Sequence, residues 1–258
     1  MNFTNNCPHT IFWKDFNSQK ITLFLMGDIR KDYVIDREVI FNPTTKKNTS
    51  TTKCPYCPGN ESMTNPSLLS LVARDGMLQR LQDNDDSFVE NWSVRVFESK
   101  NPVVSTSTEN IYADRPLYSE PAYGYHYIVV ASPQHKDTLA TIDIEQWSNV
   151  LVVIQDRLRW LYTQRGVTYV SIFVNHGKGA GSVVDHSHIN IVSFSTLPPI
   201  IEAEAASSHK IYNERGVCPM CQIVNTENAG PRQILQTEEF IAFCPWAPSH
   251  PFEFWICP

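Results

Sequence analysis

A chain of 258 residues with 42% apolar and 11% aromatic side chains has enough material for one large domain or two ordinary ones, each with a hydrophobic core. Twenty-one basic against 27 acidic residues leave a net charge of −6 with no lysine or arginine run to track a nucleic-acid backbone, and no apolar run is long enough to span a bilayer, so neither nucleic acid nor membrane is an expected partner. The N-terminus, MNFTNNCPHTIFWKD, lacks a secretion signal, which points to the cytoplasm, where seven cysteines (Cys7, Cys54, Cys57, Cys218, Cys221, Cys244 and Cys257) favour metal binding and buried thiols over disulfides.

In chain order, β-branched and aromatic residues predict strands over 33–41, 92–97, 125–131, 169–174 and 188–194. The clearest helix falls between the third and fourth. From Trp147, the apolar residues Val150, Leu151, Ile154, Leu158 and Leu161 recur with a 3.6-residue period. Thr141 or Asp143 is placed to cap its start and Gly166 to end it, while Gln146, Asn149, Arg157 and Gln164 form a polar outer face. Residues 44–62 and 225–232 read as loops, and 207–215 as a bridge between two halves. Strands joined mainly by loops, one long helix and no regular βαβ alternation give an α+β class: a mostly antiparallel sheet with helices packed on one face.

The chain also echoes itself. Cys54-Pro55-Tyr56-Cys57 leads to strand 92–97, a proline-containing loop and strand 124–133; Cys218-Pro219-Met220-Cys221 leads to strand 240–244, a loop and strand 252–258. The first pass continues through the long helix to a histidine-bearing strand, whereas the second breaks off at Pro258. The expected organisation is therefore a first domain over 1–206 and an incomplete second copy over 207–258.

In a CxxC, two thiolates reach one ion from a tight turn, and zinc prefers four nitrogen or sulfur ligands. For Cys54 and Cys57, the remaining two are either Cys218 and Cys221, giving an all-cysteine site, or histidines of the first half, of which His135 and His186 are best placed. Residues 58–61, Pro-Gly-Asn-Glu, form a turn opening that motif to a ligand site.

Residues 175–190, NHGKGAGSVVDHSHIN, run a glycine-rich loop into two histidines one residue apart. Alternation along a strand puts His186 and His188 on one face, next to a loop whose backbone amides, at Gly177, Gly179, Gly181 and Ser182, can approach an oxyanion, with Lys178 adding charge. A neutral imidazole beside a phosphate can attack phosphorus and form a phosphoramidate, dividing one transfer into two easier displacements. His188 is the candidate nucleophile.

Together these motifs resemble the galactose-1-phosphate uridylyltransferase branch of the histidine triad superfamily over nearly the whole chain. The family's CxxCxGN segment corresponds to Cys54, Cys57, Gly59 and Asn60, its SPxH strand end to Ser132, Pro133 and His135, and its HxHxQ strand, with an Asn-x-Gly loop before it, to His186, His188, Asn175 and Gly177. The resemblance implies a histidine-triad-like fold, duplicated with its second copy incomplete. It implies zinc on Cys54, Cys57, His135 and His186, nucleotidylylation of His188, and a nucleotide region at Arg95, Phe97, Ser99, Lys100 and Asn101 with the loop residues Gly181 and Ser182 at the phosphate. It further implies a second divalent metal, iron or zinc, at Glu204 after the Leu197-Pro198 turn, a nucleotide sugar and a sugar 1-phosphate as substrates, and paired subunits. The expected activity is ping-pong exchange of a UMP group in galactose metabolism. A phosphorylase or hydrolase of ADP-sugars or dinucleoside polyphosphates is the alternative enzyme, and a non-catalytic zinc- and nucleotide-binding remnant the alternative outside catalysis. Three departures stand out: Asn190 replaces the family's glutamine, Ser182 directly follows Gly181 where Gly-x-Ser is usual, and Ser99 replaces an asparagine.

Overall fold

The computed structural model describes residues 27–42, 53–84, 87–106 and 117–258, so the loop expected at 44–62 is described only from Lys53 onward. Among the described residues it is an α+β structure of antiparallel sheets and three α-helices, in two compact units that part between Thr196 and Leu197. Position 206, where the sequence reading changes domain, lies inside a helix.

The first unit is organised by a six-stranded sheet. Its strands are β3 (Ser67–Arg74), β4 (Met77–Leu81), β5 (Trp92–Glu98), β7 (His126–Val130), β8 (Tyr169–Phe173) and β9 (His188–Phe194), in the order β4-β3-β5-β7-β9-β8 with every pairing antiparallel. Four of these are the strands expected from composition. The β3–β4 hairpin was not expected, although Asp75-Gly76 joins it with φ of 51° and 75°, the positive values that a two-residue turn needs and that this dipeptide tolerates. A smaller sheet, β2-β1-β6, is built from β1 (Asp28–Lys31), β2 (Glu38–Phe41) and β6 (Ser119–Pro121). The single strand expected over 33–41 is thus a turn followed by β2: Asp32 accepts the amide hydrogens of Val34 and Ile35, which bends the chain where an extended run was read.

Helix α1 (Ile144–Leu161) covers one face of the large sheet. Asp143 caps it, its carboxylate accepting the Gln146 amide hydrogen at 2.8 Å. Val150, Val153, Ile154 and Leu161 are buried against Tyr127, Val129, Ile189 and Ile191, and each such fully buried side chain contributes about 1.5–3 kcal/mol. Two assignments from the helical period change. Leu151 lies outward and exposed, while Gln146, placed on the outer face, turns inward to donate to the carbonyls of Ser93 and Ala131. That side chain pins the start of the helix to β5 and the end of β7.

Alternation then directs the opposite residues of β7 and β9 away from the helix. Val130 pairs with His188 and Ile128 with Asn190, so both polar side chains share a face with the apolar cluster of Val72, Trp92, Phe97, Ile128 and Val130.

The second unit contains α2 (Pro199–Arg215), α3 (Pro219–Glu227) and the antiparallel sheet β10-β11-β12, formed by Gln233–Gln236, Ile241–Phe243 and Trp255–Cys257. The bridge read over 207–215 is the second half of α2, and the loop read at 225–232 begins as the last turn of α3. Gly216 closes α2 with φ of 67°, its amide donating to the Tyr212 carbonyl. Glu227 is buried and takes a forked contact from Arg232, at 2.8 and 3.0 Å.

Candidate active site and metal centre

Cys54 and Cys57 lie on a turn closed by the Asn60 amide on the Cys57 carbonyl and by the Asn60 side chain, which donates to the Cys54 carbonyl at 2.8 Å. A short 3₁₀ turn follows, Glu61–Met63, and the buried Glu61 carboxylate accepts the Trp92 indole N–H at 2.8 Å, anchoring the motif to the first residue of β5. Two histidines meet the thiols. His135 Nδ1 is 3.4 Å from Cys57 Sγ, and His186 Nδ1 is 3.6 Å from both sulfurs; all four donor atoms lie within 4.8 Å of one another. Among the described residues this is the single gathering of three or more such side chains.

The donor set fits zinc. Burial, and then the Cys54 thiol beside it, pushes the Cys57 thiol up to about 11, so two thiolates at this spacing require a cation between them. His186 is already oriented for that role. Its Nε2 donates to the Ser132 carbonyl at 2.8 Å, which fixes the tautomer and leaves the Nδ1 lone pair toward the sulfurs. Ser132 is held in turn by the Asp137 carboxylate, and Ser187 donates to the Asp137 carbonyl, so the loop after β7 and the entry to β9 form one braced unit. Within the first unit, the two histidines are the side chains that meet the Cys54 and Cys57 thiols.

His188 opens β9 and is buried. Its Nδ1 donates to the His186 carbonyl at 2.7 Å, which places the free lone pair on Nε2. Burial holds its pKa below the ordinary imidazole value against the opposing pull of that carbonyl, so the ring is neutral at pH 7. It lines a cavity of about 250 Å³ together with His135, Asp137, Asn175, Gly177 and Ser182. The Tyr56 ring, from the middle of the CxxC, stands edge-on to His188 and His186 at centroid distances of 5.2 and 6.3 Å and packs on Phe97.

The glycine loop is placed beside the nucleophile, but its hydrogen bonding differs from the expected cradle. Gly177 and Gly181 have φ of 76° and 85°, and the amides of Ala180, Gly181 and Ser182 bond back to the carbonyls of Gly177 and Lys178. The Ser182 hydroxyl donates to the Val184 carbonyl. The loop therefore closes on itself, and two of the four amides expected to face an anion, those of Gly181 and Ser182, are engaged within it, while Asn175, Gly177 and Ser182 still line the cavity.

The residues expected at the nucleotide divide in two. Ser99, Lys100 and Asn101 form an accessible turn, with the Asn101 amide donating to Ser99 Oγ. Arg95 departs from its expected role: it is fully buried, and its guanidinium pairs with Asp83 Oδ2 and Thr64 Oγ1, each at 2.6 Å. Phe97 is likewise buried, inside the cluster beneath Tyr56. Both act by supporting the floor of the site.

Asn190, one period after His188, directs its Oδ1 at His126 Nε2, 3.2 Å away. His126, Tyr56 and Asp137 belong to the site and were absent from the sequence reading. Tyr56 was visible inside a quoted motif, whereas only pairing of β7 with β9 brings His126 to Asn190. Glu204 lies exposed on α2, and no group of three metal-ligating side chains forms around it among the described residues. No helix among those residues is long and apolar enough to cross a membrane.

Comparison with known proteins agrees with the motif resemblance. Residues 80–198 match the family of the galactose-1-phosphate uridyl transferase N-terminal domain. The chain is 26% identical over 247 residues to ADP-glucose phosphorylase of Arabidopsis thaliana, covering 90% of this chain and 65% of that one. It is 27% identical over 236 residues to galactose-1-phosphate uridylyltransferase of Thermotoga maritima, covering 90% and 67%. Among solved structures, a uridylyltransferase superposes with a TM-score of 0.72 at 25% identity, over 89% of this chain and 65% of that one. The Arabidopsis ADP-glucose phosphorylase with bound ADP-glucose gives 0.64 at 26%, over 89% and 67%. The chain thus spans about two thirds of the length of these relatives, and over that span it is similar both to galactose-1-phosphate uridylyltransferases and to ADP-glucose phosphorylase.

Proposed function

We propose that this chain carries the nucleotidyl-transfer site of an enzyme acting on nucleotide sugars and sugar phosphates, with His188 as the covalent nucleophile. The observation that carries the reading is the tautomer of His188: a buried, neutral ring whose Nδ1–H is taken by the His186 carbonyl and whose Nε2 lone pair remains for phosphorus. Nε2 attacks the α-phosphorus of the nucleotide sugar, forming a P–N bond as the bond to the bridging oxygen breaks, and sugar 1-phosphate leaves with the electron pair. The positive charge that develops on the ring is stabilised at Nδ1–H by the same carbonyl. A second sugar 1-phosphate then takes the nucleotidyl group and restores the free histidine.

The remaining residues position this step. Asn190 is the candidate donor to a phosphoryl oxygen, and the turn of Ser99, Lys100 and Asn101 the candidate seat of the nucleoside. Zinc on Cys54, Cys57, His135 and His186 would supply a structural tie between the CxxC turn and the start of β9. Similarity over 90% of the chain to both a uridylyltransferase and an ADP-glucose phosphorylase supports transfer and phosphorolysis as two outcomes of one intermediate, differing in whether a sugar phosphate or inorganic phosphate discharges it.

The test is intact-mass analysis of the zinc-loaded chain after incubation with UDP-glucose or ADP-glucose. A single nucleotidyl adduct that maps to His188, disappears in His188→Ala and is discharged by a sugar 1-phosphate or by phosphate is the expected result, and its mass identifies the base. Absence of an adduct from both nucleotides overturns the covalent reading.

A further inference from the structure

We propose that His126 is a positioning residue that fixes the side-chain amide of Asn190 and holds the Ser99–Val103 turn in place, so that the two candidate contacts to substrate are set by one imidazole. This rests on the transferase reading above for what the contacts bind, but the hydrogen-bond assignment stands independently of it.

The two ring nitrogens of His126 are committed to different partners. Nδ1 lies 3.3 Å from the backbone nitrogen of Val103, and a backbone N–H can only donate, so Nδ1 is the unprotonated nitrogen. Nε2 therefore carries the hydrogen and donates to Asn190 Oδ1 at 3.2 Å. Burial works in the same direction, lowering the His126 pKa so that the ring keeps one proton. With Oδ1 engaged as acceptor, the Nδ2 hydrogens of Asn190 remain for an oxyanion. The Nε2–H of His126 favours that orientation of the amide over its flip, which would direct an oxygen lone pair at a phosphoryl oxygen.

The same residue holds the turn that precedes Val103. The His126 carbonyl accepts the Ser99 amide hydrogen at 2.9 Å, while its ring accepts that of Val103, so the first and last residues of the segment bond to one residue of β7. Asn42 adds a third tie by donating to the Pro102 carbonyl at 2.8 Å. The register explains the reach: His126 pairs with Val192, two residues beyond the Ile128–Asn190 pair, which brings its ring diagonally across to Asn190 on the same face. The groups that face the His126 ring are Asn190 and His188 from β9 and the Val103 amide from the turn. The asparagine side chain, shorter than the family's glutamine, thus has a dedicated neighbour that orients it.

The proposal is tested by a double-mutant cycle on adduct formation, together with a measurement that needs no activity. His126→Leu removes both nitrogens and should slow nucleotidylation of His188 at saturating nucleotide sugar by about 10-fold or more, since loss of one transition-state donor typically costs 10²–10³-fold. His126→Gln, which retains an amide N–H near the position of Nε2, should recover part of that rate. Because the effect on the rate at saturating nucleotide sugar runs through Asn190, whereas the hold on the Ser99–Val103 turn enters through KM, His126→Leu in an Asn190→Ala background should bring little further loss of that rate. Multiplicative losses in the double variant, or a His126→Gln variant as slow as His126→Leu, overturn the proposal. Independently, long-range ¹H–¹⁵N correlation spectra of the unsubstituted chain at pH 7 should show His126 as the Nε2–H tautomer. An Nδ1–H or doubly protonated ring overturns the proposal whether or not the chain forms an adduct, whereas failure of adduct formation with the expected tautomer counts against the transferase reading alone.

Discussion

The two CxxC motifs begin with the same Cys-Pro and end in different chemistry. Cys54 and Cys57 sit on an irregular turn tied to β5 through Glu61 and Trp92, and two histidines from distant segments bring Nδ1 within 3.6 Å of their sulfurs. Cys218 and Cys221 instead open helix α3: Cys218 Sγ accepts the Cys221 amide hydrogen, both thiols are exposed, and no third ligand joins them among the described residues. In the first unit the sulfurs turn toward a buried imidazole, and in the second one sulfur serves as a helix cap. The motif supplies two ligands at a fixed spacing, and the topology around it decides whether a metal site is completed.

The strongest way to break this contrast is to remove one histidine. His186→Ala should lower zinc affinity of the chain more than about 100-fold and melt the first unit at markedly lower temperature, because metal affinity and folding are coupled. Metal content by mass spectrometry and a thermal melt check both, and full zinc retention would place the ion elsewhere. The next effect concerns the buried charge pairs of the two units. Asp83 faces Arg95 with side chains only 0% and 2% exposed, and Asp83→Ala should cost about 3–5 kcal/mol in denaturant titration by leaving the guanidinium unpaired. Glu227→Ala should cost less, about 1–3 kcal/mol, because Arg232 is 26% exposed and regains water.

Acid should weaken the Asp83–Arg95 pair. Burial raises the Asp83 carboxyl, but the Val89 and Ser67 amides and Arg95 outweigh it and hold it below its ordinary 3.8. A depressed carboxylate stabilises the fold above the unfolded-state value and loses that contribution as pH falls through the folded one. Stability measured below about pH 3.8 should therefore fall in the native chain and much less in Asp83→Ala. The smallest effect belongs to the second motif: Cys218→Ser, which keeps a capping oxygen, should change stability by no more than about 1 kcal/mol and leave zinc content unaltered. A loss of bound zinc in that variant would show that the second motif completes a site after all.

Much of the first unit was legible in residue order. The strands at β5, β7, β8 and β9 followed from their β-branched and aromatic composition, and helix α1 from its 3.6-residue period. The β3–β4 hairpin was missed despite its Asp75-Gly76 turn, since no aromatic or histidine motif marked the segment. Helix α2 was missed for a physical reason: its residues are nearly all exposed or half-buried, so it carries no apolar stripe for periodicity to detect. Arg95 was assigned to the ligand because a strand pattern does not reveal which face holds a charged partner, and Asp83, twelve residues earlier, occupies it.

By itself, the sequence determined the local chemistry of this protein: paired thiols on turns, glycines where positive φ is needed, and two histidines one residue apart, although His188 opens β9 and His186 lies in the bend before it rather than on the strand. Tertiary structure alone decided which groups meet. Antiparallel pairing of β7 with β9 sets His126 against Asn190 and carries His186 to Ser132, and the turn after β7 delivers His135 to Cys57. Those encounters span 54 to 78 residues of chain, across which the sequence carries no distance information.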